Sequence, residues 1–530
     1  MVQGMRPGWR HALRAAVLIG VLARIVSVPL NESPHGDVHL DALTVQSVWE
    51  GRGLITPLER SVELYPHETV GGGHPLDQHP PLSILLASWL VPVAGGSFPA
   101  LQWLSTVASL LALWIAYRLC RRLLDEDAAL VALALLSVSM LLAGFAGNGS
   151  IYSMHGLLGL LVIYSLCIPG MAGAACAGLA CGLAYLNSYQ ALVFLPAALL
   201  SLAVPRGRGL LSITGALGLL APVVGFCLLC WPWWLRNDSV FGDAFFSVNS
   251  MHAREALGAT PVLEEWRGTT SVRLEGPSVD ELLAHLGVVT VANLRFLLRE
   301  GFWWVSSVGV LAIFGAGAVL RGESCRHRPA LVAMALLPLF HLVTMVGWPS
   351  CELRHFVPLL YLAVPLAVLP LKSGWSLATP KRRSLLTALL VSSFMLSQLV
   401  SLAGSDSRTL YYPVHPNPSL EAADRVRQGY LKDVAQYLRD QAISGVIANI
   451  ELKYHTLGPN GRGHSVTVVQ PPPVDDPQIL QRALRHYRVQ YVMARGERES
   501  LRLAALENCL GEVLRRGQDD ASVTLFRFSP

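Results

Sequence analysis

Apolar runs close to the length of a bilayer crossing alternate with short polar segments along the first four hundred residues. The first run, 12–30, follows Arg6, Arg10 and Arg14. Others occupy 99–119, 128–146, 150–168, 171–187, 189–204, 210–232, 302–320, 329–347, 354–371 and 384–402. Since about 20 apolar residues cross a hydrocarbon core, the pattern predicts about eleven spanning helices. The first run resembles a signal peptide in outline, but Arg24 inside it and the many later runs predict an uncleaved helix. A shorter run, 82–93, is bounded by Pro80, Pro81 and Pro92. It is expected to lie in or dip into the interface without crossing. Basic loops containing Arg118, Arg121 and Arg122, then Arg206 and Arg208, then Arg321, Arg326 and Arg328, then Lys381, Arg382 and Arg383 all follow an even number of spans and so fall on one side. A cytoplasmic N-terminus satisfies them all under the positive-inside bias, placing 31–98, 233–301 and 403–530 outside.

After residue 402 the pattern changes. SDSRTLYYPVHPNPS reads as the start of a linker, assigned to 403–425, and 426–530 as an α/β domain outside the membrane. Helices are predicted at 422–441, 476–487 and 497–515, and strands at 446–450, 465–469, 489–494 and 522–528.

Composition agrees with a membrane chain: 52% of the 530 residues are apolar and 15% charged, with a mean hydropathy of +0.44. The formal charge of +5 is accounted for by cytoplasmic loops beside anionic lipid. There is no interleaving of basic and aromatic residues of the kind that binds single strands, so nucleic acid is not an expected partner. The nine cysteines lie mostly in spans, read as small apolar packing residues, and form no disulfide framework. Richness in Ala, Leu, Gly and Arg suggests a bacterial chain.

The candidate chemistry sits between the apolar runs. GDVHLD at 36–41 and DQHPPL at 77–82 place carboxylates and imidazoles beside the membrane. WPWWLRNDSVFGDAFFS, starting at Trp231, brings Arg236 to the outer end of a helix. There a guanidinium can make bidentate contacts to phosphate, and the tryptophans read as interfacial anchors. Arg295 and Arg299 offer similar contacts. His39, His74 and His79 with Asp37 and Asp77 allow a divalent-cation site to be drawn, although their spacing fixes no geometry.

An acidic residue just outside the first helix, a loop ending in HPPL, the PWWLRNDSVFGD segment and RHFVPLLYLAVPL at 354–366, in that order, resemble the polyprenyl-phosphate-sugar-dependent glycosyltransferases of the GT-C fold. The bacterial relatives of protein O-mannosyltransferases and lipid A aminoarabinose transferases are the nearest branch. The resemblance covers roughly residues 10–400. It implies a polytopic α-helical membrane protein with an extracytoplasmic C-terminal domain, at the bacterial cytoplasmic membrane. It also implies transfer of a sugar from a polyprenyl phosphate to a lipid, glycan or protein hydroxyl, with inversion.

Under that resemblance Asp37 takes the place of the catalytic carboxylate. Asp41, Asp77 and His155 are assigned to the acceptor or to support of the site, and His79, Arg236, Arg354 and His355 to the donor phosphate. One departure is FAGNGSIYSMHGLLG at 145–159, where related enzymes often carry an acid or Arg; His155 and Asn148 are the nearest replacements. A divalent cation is possible as a cofactor. The competing expectations are a lipid-linked-sugar transporter or flippase, whose related halves or interrupted helices are not evident in the sequence, and a non-catalytic envelope protein that binds glycan.

Overall fold

The computed structural model describes residues 5, 7–31, 37–57, 59–60, 74–76, 79–204, 213–247, 260–266, 269–275, 278–298, 302–321, 327–347, 353–377, 379–404, 430, 433–434, 436–438, 440–441, 445–447, 467–470, 490–495, 510–516 and 523–528. Helix α1 (Pro7–Leu30) leads to a segment holding α2 (Asp37–Trp49), β1 (Ile55–Thr56), β2 (Glu59–Arg60), β3 (His74–Pro75) and α3 (Leu82–Ala94). The bundle continues with α4 (Ser97–Leu123), α5 (Glu126–Val138), α6 (Met140–Gly147), α7 (Tyr152–Ser165), α8 (Gly170–Asn187), a 3-10 turn at Tyr189–Val193, α9 (Phe194–Ala203) and α10 (Ile213–Phe241). A hairpin of β4 (Thr260–Trp266) and β5 (Thr269–Glu275) and the helix α11 (Val279–Phe296) precede α12 (Phe302–Arg321), α13 (Arg328–Gly347), a 3-10 turn at Leu353–His355, α14 (Phe356–Leu377) and α15 (Pro380–Gly404). Strands β6 (Gly445–Ile447), β7 (Thr467–Gln470), β8 (Tyr491–Arg495), β9 (Leu510–Arg516) and β10 (Val523–Phe528) end the chain.

Among the described residues five helices, α1, α4, α8, α10 and α13, are long and apolar enough to span a bilayer, and α5 with α6, bent by 61°, brings the number to six if the pair is one span. Their outward faces carry exposed apolar side chains at helical spacing: Leu18, Leu22 and Val26 on α1, Leu217, Leu220, Val224 and Leu228 on α10, with a similar set, Leu385, Leu389 and Leu396, on α15. Such stripes suit lipid, where the helix satisfies its own backbone. This is a multi-pass membrane protein. Helix α3 has only 13 residues, about 20 Å at 1.5 Å per residue, which is less than the hydrocarbon thickness. It starts after Pro80–Pro81 and ends at Gly95, whose positive φ lets its N–H reach the Val91 carbonyl.

The break between α5 and α6 falls at Ser139, whose backbone is extended. Buried Arg24 on α1 donates to the carbonyls of Leu136 at 2.7 Å and Ser137 at 2.9 Å, as well as to Gly20 and the Ser109 hydroxyl. Across the break, the Gln398 Oε1 accepts from the Ser139 hydroxyl and the Leu141 N–H. A guanidinium in a spanning helix is thus satisfied by carbonyls that the bend released. Gly20 permits the approach, since a Cβ there would lie 2.2 Å from the Ser137 carbonyl oxygen.

Opposite ends of the bundle can be told apart by their contacts. At one end Asp127 accepts from Arg10 and the Met5 N–H, Arg122 reaches the Cys167 carbonyl, and Lys372 reaches the Leu124 carbonyl. At the other end lie α2, α3, the turn at 148–151 and the 3-10 turn before α14. Among the C-terminal strands, β6 runs parallel to β7 and β8, and β10 lies antiparallel between β8 and β9. Strand β2, from the segment after α1, adds to this sheet by parallel pairing with β7, Glu59 opposite Val469 and Arg60 opposite Gln470.

Three sequence expectations need correction. The run 128–146 is two helices. The helix expected to end at 232 continues through WPWWLRND to Phe241, and stops only where Gly242 takes a positive φ and caps the Asp238 carbonyl. Residues 510–515, expected in a helix, form β9, because pairing with β10 overrides local helix propensity. The helix expected at 476–487 and residues 405–425 of the linker lie outside the described residues.

Candidate active site

Helix α2 positions two ion pairs one turn apart. Asp37 opens the helix, where the N-terminal dipole favours a carboxylate, and its Oδ2 accepts from Arg354 Nη1 at 2.5 Å. The pair is partly open, with side chains 32% and 29% exposed. One turn on, the Asp41 Oδ1 lies 2.8 Å from His79 Nδ1, in a pair nearly closed to solvent at 4% and 12% exposure. Burial pushes the His79 imidazole toward neutrality, but the charge and hydrogen bond of Asp41, with a smaller contribution from Asp37, outweigh it and raise its pKa above the usual value. The two carboxylates thus favour the protonated form of His79, with Arg354 opposing weakly.

The short helix is fixed on several sides. Ala42, Leu43 and Val45 are buried, and Val38 packs over the turn at Gly149, whose positive φ keeps that turn tight. The Thr44 hydroxyl meets that of Thr56 at 2.8 Å, tying α2 to the β1–β3 pair. Arg354 is aimed by Tyr152, over whose ring its guanidinium lies at 5.8 Å.

Arg236 is placed differently from the expectation. It sits over the rings of Trp233 and Phe241, and donates to the Leu76 carbonyl at 2.7 Å and to Asn237 at 3.0 Å. These bonds make it a strut under the β3 end of the segment that carries His79. His355 turns inward and is 2% exposed, its ring against Tyr152 and its carbonyl bonded to His341 Nε2 at 2.9 Å. Turned into the bundle in this way, the ring is not presented to a phosphate at the surface. His155 is buried inside the bundle between Phe194 and His341, and Asn148 accepts from the Ser150 N–H in the turn below α2. Asp77 lies outside the described residues.

Tyr152 and His341 are not singled out by the sequence. Tyr152 stands in the FAGNGSIYSMHGLLG segment, so the segment is marked but the aromatic is not. His341 gives no signal, because a lone histidine in an apolar helix looks like core. Among the described residues no three His, Cys, Asp or Glu side chains converge to hold a metal ion.

Residues 78–234 match the family model described as dolichyl-phosphate-mannose-protein mannosyltransferase. Solved structures align over nearly the whole chain. One is ArnT from Cupriavidus metallidurans bound to undecaprenyl phosphate, with a TM-score of 0.58, 14% identity, and 98% of each chain covered. Another is the Archaeoglobus fulgidus oligosaccharyltransferase in complex with Zn and sulfate, at 0.59 and 13%, with 95% of this chain and 72% of that one covered. The arabinofuranosyltransferase AftD from Mycobacteria aligns at 0.54 and 13%, and this chain spans 40% of its length. The chain has the GT-C fold. In this GT-C bundle the family-model match begins one residue before His79 and ends two before Arg236, taking in the HPPL segment and the helices beneath the site. No curated protein sequence matches the chain.

Proposed function

We propose that this protein transfers a sugar from a polyprenyl-phosphate donor to an acceptor hydroxyl, with Asp37 as general base and Arg354 and His79 as phosphate-binding cations. The observation that carries the reading is the pairing of Asp37 with Arg354 on a partly open surface, one turn from the buried Asp41–His79 pair. The GT-C fold and the undecaprenyl phosphate in the aligned ArnT structure support a lipid-linked donor.

The acceptor oxygen attacks the anomeric carbon while the hydroxyl proton passes to the Asp37 carboxylate. The bond from that carbon to the phosphate oxygen breaks, and polyprenyl phosphate leaves with the electron pair. Base and leaving group lie on opposite faces of the sugar, so the product is inverted. Arg354 is the counter-ion of Asp37 at rest. An arriving phosphate competes for that guanidinium, which frees the carboxylate for the acceptor and places a cation where negative charge develops. Asp41 acts through His79 by keeping the imidazolium charged.

The site end is assigned to the outer face of the cytoplasmic membrane, because Arg10, Arg122 and Lys372 gather at the opposite end, as the positive-inside bias requires of a cytoplasmic side. The test is protein in lipid nanodiscs supplied with a panel of polyprenyl-phosphate sugars and a cell-envelope extract, followed by mass spectrometry. Donor loss with product gain in the wild type, abolished in Asp37→Asn, is expected. Unchanged donors across the panel would favour transport or glycan binding instead.

A further inference from the structure

We propose that the C-terminal sheet is a positioning element of the active site, holding the catalytic helix through Leu40. This rests on the assignment of α2 as that helix. Leu40 lies between Asp37 and Asp41, three residues from the first, and so is its neighbour on the helix surface. Its side chain packs against the second hydrophobic core, formed by Val434, Leu438, Val446, Met493, Val523 and Leu525, and not with its α2 neighbours Val38, Ala42 and Val45 in the bundle core. The C-terminal unit therefore rests on α2 beside Asp37, while Asp41, the residue after Leu40, turns toward the side that Val45 presents to the bundle.

A second link is independent of the first. The segment joining α2 to His79 contributes β2 to the edge of the C-terminal sheet, through backbone pairing with β7. Both partners of the Asp41–His79 pair are thus attached to the same outer unit, one by a side chain and the other by a strand. An isolated helix of 13 residues is marginal by itself. Its order depends on what packs against it, and here one of those surfaces belongs to residues 434–525. The sheet thereby sets the position of Asp37 and Asp41 relative to Arg354, which arrives from the membrane bundle. Leu40 touches no reacting atom in this scheme and is a positioning residue.

The experiment compares the full chain in nanodiscs as wild type, Leu40→Ala, Leu40→Met and Leu438→Ala, the last being a change on the far side of the contact. Hydrogen exchange over 37–49 needs no substrate and reads the positioning directly. In Leu40→Ala and in Leu438→Ala, exchange of these amides is expected to rise several-fold while α4 keeps its protection. Leu40→Met is expected to restore it. With turnover measured alongside, kcat falls about 10- to 100-fold, the cost of a misplaced catalytic group, and donor KM changes less. Wild-type protection of 37–49 in both alanine variants would overturn the proposal, as would loss of protection in Leu40→Ala alone. If exchange rises as expected but the wild type turns over no donor, the transferase reading fails and the positioning role stands.

Discussion

Replacing Asp41 with Asn removes one negative charge at nearly constant volume, and separates the two influences on His79. In the native site the carboxylate is 2.8 Å from Nδ1 and 4% exposed, and it offsets a burial that by itself favours the neutral ring. In the Asp41→Asn variant that carboxylate no longer offsets the burial, and the pKa of His79 falls. A charge-assisted hydrogen bond from His79 to a lipid phosphate is then lost, about 1.5–3 kcal/mol. At 1.4 kcal/mol per factor of ten, binding of polyprenyl phosphate weakens about 10- to 100-fold at pH 7. Equilibrium binding in nanodiscs between pH 5.5 and 8.5 measures this. The wild type should bind well up to the raised pKa of His79 and lose affinity above it, whereas the variant should lose affinity at lower pH and converge with the wild type in acid. Equal affinity at pH 7 with superimposable pH profiles would refute the role given to the imidazolium.

Asp37→Asn should reduce turnover by about 10²- to 10⁴-fold, the range of a general base, with donor affinity kept or increased because Arg354 is released; single-turnover kinetics with separate donor binding checks both. Arg24→Met leaves the Leu136 and Ser137 carbonyls without their donor, at about 1–3 kcal/mol each; a lower midpoint of thermal unfolding in detergent is expected, and an unchanged midpoint would show that the break is satisfied in another way. Gly147→Ala would place a methyl group 2.1 Å from the Ser27 hydroxyl, so the same assay should show a loss of about 1–3 kcal/mol from overpacking. Stability should also depend on pH through His79. Its raised pKa stabilises the fold fully below about 6.5 and less as pH climbs through the folded value. Thermal scans from pH 4 to 9 on the wild type and Asp41→Asn should show this loss in the wild type and a smaller one in the variant.

The helical bundle was legible in the chain because length and apolar content are local properties, and a helix in lipid satisfies its backbone within one segment. The sequence by itself determined most of the bundle helices, the short α3 between prolines and Gly95, and the change of character after residue 402. It also marked Asp37, Asp41, His79 and Arg354 as polar residues at the edges of apolar runs. Tertiary structure decided their partners. Asp37 and Arg354 are 317 positions apart, and no pattern along the chain records that they meet, or that Asp41 takes His79. It also decided that Arg236 braces a loop, that His355 turns inward, and that Arg24 completes a bent helix. The strand at 510–516 and the seat of Leu40 follow the same logic. A strand needs a partner to bond, and a leucine on a short helix packs against whichever core reaches it, so both outcomes depend on residues far away in the chain.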